Sequence, residues 1–107
     1  MPVAGPVGLG AASAIQSAGD AWLIGVDSDW TQSAADYADV TFTSVLKNIA
    51  NSVFDTIAES ADTGFSAEPY VGTLENEGVG VADFAEGTVS DEVLAQAGRD
   101  QGRHHRR

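Results

Sequence analysis

Two carboxylates bracketing a hydroxyl, Asp27-Ser28-Asp29, with Trp30 directly after them, form the densest group of chemically able side chains in the sequence. A carboxylate at a strand end can accept two hydrogen bonds from vicinal hydroxyls, and such charge-assisted bonds contribute about 1.5–3 kcal/mol each when sheltered. An aromatic ring beside a polar pair suits a site that stacks one ring and grips a sugar. The competing role is structural, because a short carboxylate in this position also caps a turn. Two carboxylates without further spaced ligands match no calcium loop, so no metal is expected.

Lys47 is the second candidate. It is the only cation in residues 1 to 98, the other basic residues being Arg99, Arg103, Arg106 and Arg107. Reading Ser44 as a helix N-cap puts Lys47 in the first helical turn, where the macrodipole disfavours a cation by roughly 0.3–1 kcal/mol. A position unfavourable to structure points to function: an ammonium donating to an oxygen that Asp27 also contacts. The bland alternative is a solvated lysine that offsets acidic surroundings. The third candidate is the glycine loop Gly5-Pro6-Val7-Gly8-Leu9-Gly10, whose backbone N–H groups could hold a ligand's polar edge. Its order is GxxGxG, and no GK[ST] follows, so neither the dinucleotide nor the phosphate-loop fingerprint is met. Asp27 nevertheless lies about 20 residues beyond the glycines, where a dinucleotide fold keeps its ribose-binding acid, and this keeps a small Rossmann-like oxidoreductase domain as the rival reading. Otherwise the roles of an enzyme are missing: there is no Cys, no His before His104, and no GxSxG elbow. A non-enzymatic protein without a cofactor is expected.

These residues need elements to position them. Residues 21 to 26 form an apolar run that stops at Asp27, as a buried strand does at the rim of a parallel sheet, where ligands of open α/β sheets sit. Residues 2 to 19 read as a short strand at Val3-Ala4, the glycine loop and an alanine-rich helix. With the next strand they make one β-loop-α-β unit with a right-handed crossover. Leu9, Ala12, Ile15 and Ala18 share a face of that helix, and Gly19 is its stop. Residues 31 to 39 are polar loop, and residues 40 to 43 alternate as a short strand. From Ser44 a helix follows, with Val45, Ile49, Val53 and Ile57 at i, i+4 spacing and Leu46, Phe54 and Ala61 widening the stripe, to end near residues 62 to 64. Residues 69 to 74 and 79 to 84 read as two more strands around a turn at residues 75 to 78. Residues 90 to 97 suit two helical turns, and residues 98 to 107, with His104 and His105, read as a solvated, disordered tail.

Global composition bounds these choices. A chain of 107 residues has room for one small core. Sixteen acidic against five basic residues, a net charge of -11, make nucleic acid a poor partner. Hydrophobic content of 43% is ordinary, and no apolar run approaches the roughly 18 residues of a membrane span, so direct membrane insertion is not expected. The first residues lack a basic start and apolar stretch, so as written the chain carries no export address and is expected in the cytoplasm.

Four segments in register point to a family. Val3 to Ala12, Ile24-Gly25-Val26-Asp27-Ser28-Asp29, Thr43-Ser44-Val45-Leu46-Lys47-Asn48, and Tyr70 to Leu74 with Gly78 to Ala82 closely resemble the second half of the basic membrane protein (BMP), or PnrA-like, substrate-binding lipoproteins of ABC transporters. The resemblance covers about residues 2 to 85. It implies part of the C-terminal lobe of a type I periplasmic-binding-protein fold over residues 2 to 86, a mostly parallel sheet flanked by helices, followed by a divergent segment over residues 87 to 107. It further implies a purine nucleoside in a cleft between lobes, with Asp27 and Lys47 on the ribose hydroxyls and Gly5 lining the pocket. The loaded protein would be presented to permease subunits, extracytoplasmically and on a lipid anchor. Trp30 stands where the family would carry Gln. The lipidated Cys and the first lobe are absent, so a fragment that binds weakly or not at all alone is expected, with exposed apolar surface that favours self-association. A regulatory sensor module of the same lobe architecture is a third reading.

Overall fold

The apolar run ending at Asp27 forms strand β1, Leu23–Asp27, and it pairs in parallel with β2, Thr41–Lys47. A third strand, β3, Val79–Val81, runs antiparallel on the far side of β2, giving the sheet order β1-β2-β3. The computed structural model describes the backbone of residues 1–105 and the side chains through Gln101. Its class is α/β, a small, mostly parallel sheet flanked by helices, as the sequence predicts.

β2 differs most from expectation. Residues 44 to 47 continue the strand instead of opening a helix, because Val45, Leu46 and Lys47 find ladder partners in Val81, Gly80 and Val79. The Ser44 carbonyl accepts the Ala82 N–H at 2.9 Å. Ser44 is therefore no N-cap, and Lys47 ends a strand, one residue before the N-cap of the next helix instead of within its first turn. Helix α3, Ile49–Asp62, begins after Asn48 and stops at the expected place, with Gly64 at φ 93° just beyond. Val3-Ala4 forms no strand, so the β-loop-α-β unit lacks its first member; two residues ahead of a Gly and a Pro without an N–H are too short for a ladder. Residues 69 to 74 are not a strand either. Asn76 binds the Thr73 N–H through Oδ1 at 2.8 Å and donates from Nδ2 to the Val71 carbonyl at 2.9 Å, satisfying locally the groups a neighbouring strand would have taken. Residues 82 to 85 leave the ladder yet stay beside β2, where the Ala85 N–H reaches the Phe42 carbonyl.

Helix α1, Gly8–Ala18, packs on one face of the sheet. Gly19 at φ 77° closes it with an N–H to the Ile15 carbonyl, the left-handed stop that glycine adopts without a Cβ penalty. Ala12, Leu23 and Trp30 form the core, with Ile15, Val26, Ala34 and Tyr37 against them. Helix α2, Trp30–Ser33, and a 3-10 turn over Ala35–Val40 bridge β1 to β2. Gly25 is the tight point of this layer: a Cβ there would lie 2.7 Å from Cγ of Trp30 and would also meet the Ser44 hydroxyl. Neither neighbour can retreat, since both are buried. Gly25→Ala is accordingly expected to destabilise the fold by roughly 1–3 kcal/mol or more, measured as a shift of the urea midpoint; an unchanged midpoint would mean that Trp30 does not lie across the strand.

The rest of the chain is loosely covered. Helix α3 buries none of its residues, and Ile49, Val53, Phe54 and Ile57, the stripe its spacing predicts, are all exposed. Helix α4 spans Asp91–His105, beyond the two turns expected, continuing past Gly98 into the stretch read as tail. The His104 and His105 side chains, with Arg103, Arg106 and Arg107, lie outside the described side chains. The dimensions, 52 × 34 × 17 Å with a radius of gyration of 16.6 Å, exceed the roughly 13 Å of a compact chain this long. The exposed apolar surface agrees with that extended shape.

Candidate functional site at the carboxyl rim of the sheet

Because β1 and β2 are parallel, their carboxyl ends reach the same rim, and the register places Asp27 opposite Leu46, one residue before Lys47. The two charged groups meet there: Nζ of Lys47 lies 3.0 Å from Oδ1 of Asp27. Their side chains remain 63% and 57% exposed respectively, so solvent screens the pair and its own worth is within about 0–1 kcal/mol. Being open, it is a pair that a ligand can reach.

The backbone at Asp27 is strained. Its φ is 71°, and the Ser28 N–H returns to the Val26 carbonyl at 2.9 Å, closing a three-residue γ-turn with Asp27 at its centre. A non-glycine residue held there costs on the order of 1–2 kcal/mol, and such positions cluster where function requires them. Asp27→Gly is expected to raise stability by up to about 1 kcal/mol while removing the carboxylate, since the relief of about 1–2 kcal/mol of strain outweighs the roughly 0.5–1 kcal/mol of backbone entropy that glycine costs. Thermal melts at matched pH check this, and a loss of stability would contradict the strained turn.

Beside Asp27 lies a hollow of about 230 Å³ lined by Gly5, Pro6, Leu9, Val26, Ser28, Trp30, Ser33 and Ala34 with Asp27 itself. Gly5, at φ 57°, opens a 3-10 turn that runs directly into α1, so the glycine loop does bring Gly5 to the same place as Asp27. The other two sequence candidates have structural employment. Asp29 caps α2: its Oδ1 accepts the Thr31 N–H at 3.0 Å and the Thr31 hydroxyl at 2.7 Å. Trp30 is 6% exposed, lies across Gly8 and Gly25, and donates from Nε1 to the Val26 carbonyl at 2.9 Å. Most of its ring is committed to the core, leaving one part to line the hollow and no open face for stacking.

Sequence reasoning missed Ser44. Fully buried, its Oγ accepts the Trp30 backbone N–H at 3.1 Å and thereby ties α2 to β2. It also missed Asn48, which donates from Nδ2 to the Glu77 carbonyl at 2.7 Å and from its N–H to the Gly78 carbonyl at 2.9 Å, anchoring the chain immediately after Lys47. Ser44 was legible only as a helix cap, and Asn48 had no signal beyond being a polar residue next to Lys47. On the far side of Lys47 is a second hollow, about 280 Å³, lined by Asn48, Ser52, Tyr70 and Gly78 among others. The Tyr70 phenol is held above the usual tyrosine range, first by partial desolvation and then by the Asp55 carboxylate, which accepts its O–H at 3.2 Å. Asp55→Asn should bring the phenol's ultraviolet titration midpoint partway down; a midpoint that stays in place would mean that Asp55 does not face Tyr70.

Among the described residues no group of three or more His, Cys, Asp or Glu side chains could hold a metal ion, and no helix is long and apolar enough to cross a membrane. The strand that a dinucleotide fold keeps before its glycines is not formed. No protein-family model, curated protein or solved structure matches the chain. The fold and rim define an α/β unit with an accessible acid–ammonium pair at the carboxyl ends of adjacent parallel strands.

Proposed function

We propose that this chain is the ligand-contacting part of a solute-binding lobe, of the kind that serves ABC transporters, and that its ligand is a nucleoside or similar sugar diol. The observation that supports this most is the meeting of Asp27 and Lys47 at 3.0 Å on the rim. A ribose can exchange that solvent-screened contact for one acceptor and one donor across its two hydroxyls. Strain at Asp27, one of two non-glycine residues with positive φ among those described, the other being Glu77, is a second support. The hollow next to Asp27 offers apolar walls for the remainder of the ligand. Its openness to solvent fits weak binding by this chain alone, with the rest of a cleft supplied by a second lobe that closes over the ligand. In that role the protein would act outside the cytoplasm beside a permease, and it would perform no chemistry on its ligand.

Amide chemical-shift mapping with excess guanosine tests this. Shifts at Asp27, Ser28 and Lys47 that are absent with the 2′,3′-dideoxy analogue are the expected result. Shifts with NAD and none with guanosine would transfer the site to the dinucleotide class. Silence with both would remove the rim as a binding site.

A further inference from the structure

A larger hollow lies elsewhere: a groove of about 760 Å³ between residues 81–89 and helix α4. Its walls are apolar, formed by Leu74, Val81, Phe84, Val89, Leu94 and Ala97. Phe84 is its firmest part, since its ring lies 5.2 Å from that of Phe42, which continues at 6.3 Å to Trp22. The rim is acidic. Asp83, Glu86, Asp91 and Asp100 border the groove, and no ion pair neutralises them among the described residues. An apolar trough edged on its length by carboxylates is the complement of an amphipathic helix with a basic face.

We propose that this groove docks a basic amphipathic helix of a partner protein. From Asp91 to Gln101, α4 offers about 15 Å of groove wall, enough for roughly three turns of a partner helix. Ala97 and Gly98 carry little side chain on that wall, so a second helix can approach closely. Leucine-type anchors at i, i+4 and i+7 would meet Phe84, Leu94 and Val81, while lysines or arginines flanking them face the carboxylates. A second copy of this chain is a poorer occupant. Its exposed apolar helix, α3, carries Asp55, Glu59 and Asp62 and would set like charges against the rim. Its basic stretch, from Arg99 on, lacks apolar anchors.

The test is a designed sixteen-residue peptide with leucines on one helical face and lysines on the other, alongside a counterpart with glutamates in place of the lysines. Binding to the full chain is read by fluorescence anisotropy at low and moderate salt, and the contact surface by amide shift mapping. The lysine peptide is expected to bind at least tenfold more tightly than the glutamate peptide and to shift Phe84, Leu94 and Ala97. Asp83→Asn with Glu86→Gln should weaken it at least fivefold and flatten the salt dependence. Removing the same charge from α3, through Glu59→Gln with Asp62→Asn, should change nothing, which separates the groove from the general acidity of the chain. Equal binding of both peptides, shifts confined to Ile49, Val53 and Ile57, or equal losses in the two double variants would overturn the proposal. So would groove resonances broadened by protein concentration alone, which would make the occupant a second copy.

Discussion

Trp30→Ala is expected to lower stability by about 3–5 kcal/mol, a large share of the roughly 5–15 kcal/mol of a typical domain. The size follows from how little else is buried. Among the described residues the buried apolar side chains are Ala12, Leu23, Trp30 and Val40, and Trp30 is much the largest of them. Its ring spans Gly8 on α1 and Gly25 on β1, so its removal opens a cavity where helix and sheet meet. The same change leaves the Val26 carbonyl without its indole donor. Trp30→Phe separates the two contributions, because it retains most of the ring and loses the N–H; about 1 kcal/mol is expected from the hydrogen bond, with a further cost for the smaller ring. Urea unfolding followed by circular dichroism measures both, and Trp22→Phe, at a half-exposed position, serves as the control. An alanine variant as stable as the parent would mean that α1 and α2 are not held to the sheet by this residue.

Lys47→Ala should act in the opposite way, with little effect on the fold and a large one on the proposed ligand. The ion pair it ends is exposed and worth within about 0–1 kcal/mol, so the unfolding midpoint should barely move. A charge-assisted hydrogen bond to a sugar hydroxyl contributes about 1.5–3 kcal/mol where a ligand shelters it, and about 1.4 kcal/mol is a factor of ten in affinity. Loss of nucleoside affinity by tenfold or more is therefore expected, read from shift-mapping titrations of the two chains. Asp27→Asn is the companion variant. It keeps the size of the side chain and one carbonyl acceptor while removing the charge, so its loss should be comparable, and the double variant should lose less than the sum because both groups serve one diol. An affinity untouched by Lys47→Ala would reduce that lysine to surface charge.

The dual prospects of the Asp27 to Trp30 stretch show how far composition carries. Both roles weighed for a strand-end carboxylate are present, divided between neighbours: Asp29 caps a helix, while Asp27 stays open at the rim. Spacing could not decide which was which. That decision rests on the γ-turn at Asp27, which turns the chain so that Asp29 precedes α2 directly. The aromatic beside them was legible as important, but its importance is to packing. Burial of a side chain depends on what α1 and β2 bring over it, and no local pattern contains that information.

By itself, the sequence determined the features that depend on near neighbours: the apolar run ending in a carboxylate, the glycine stop after α1, the amphipathic stripe of α3 and the place where that helix ends. These follow from backbone sterics and from periodicity within a few residues. Only the tertiary structure decided that residues 44 to 47 are strand and residues 69 to 74 are not. Val45, with its i, i+4 partners, satisfied a helix pattern as well as a strand pattern, and β3, more than thirty positions away, resolved the tie by supplying a ladder. Extended backbone is stabilised across strands, whereas a helix satisfies itself along the chain; a short segment compatible with both is settled by whichever partner folding brings alongside it. The same non-local pairing carries Lys47 to the end of a strand next to Asp27, and with it the site.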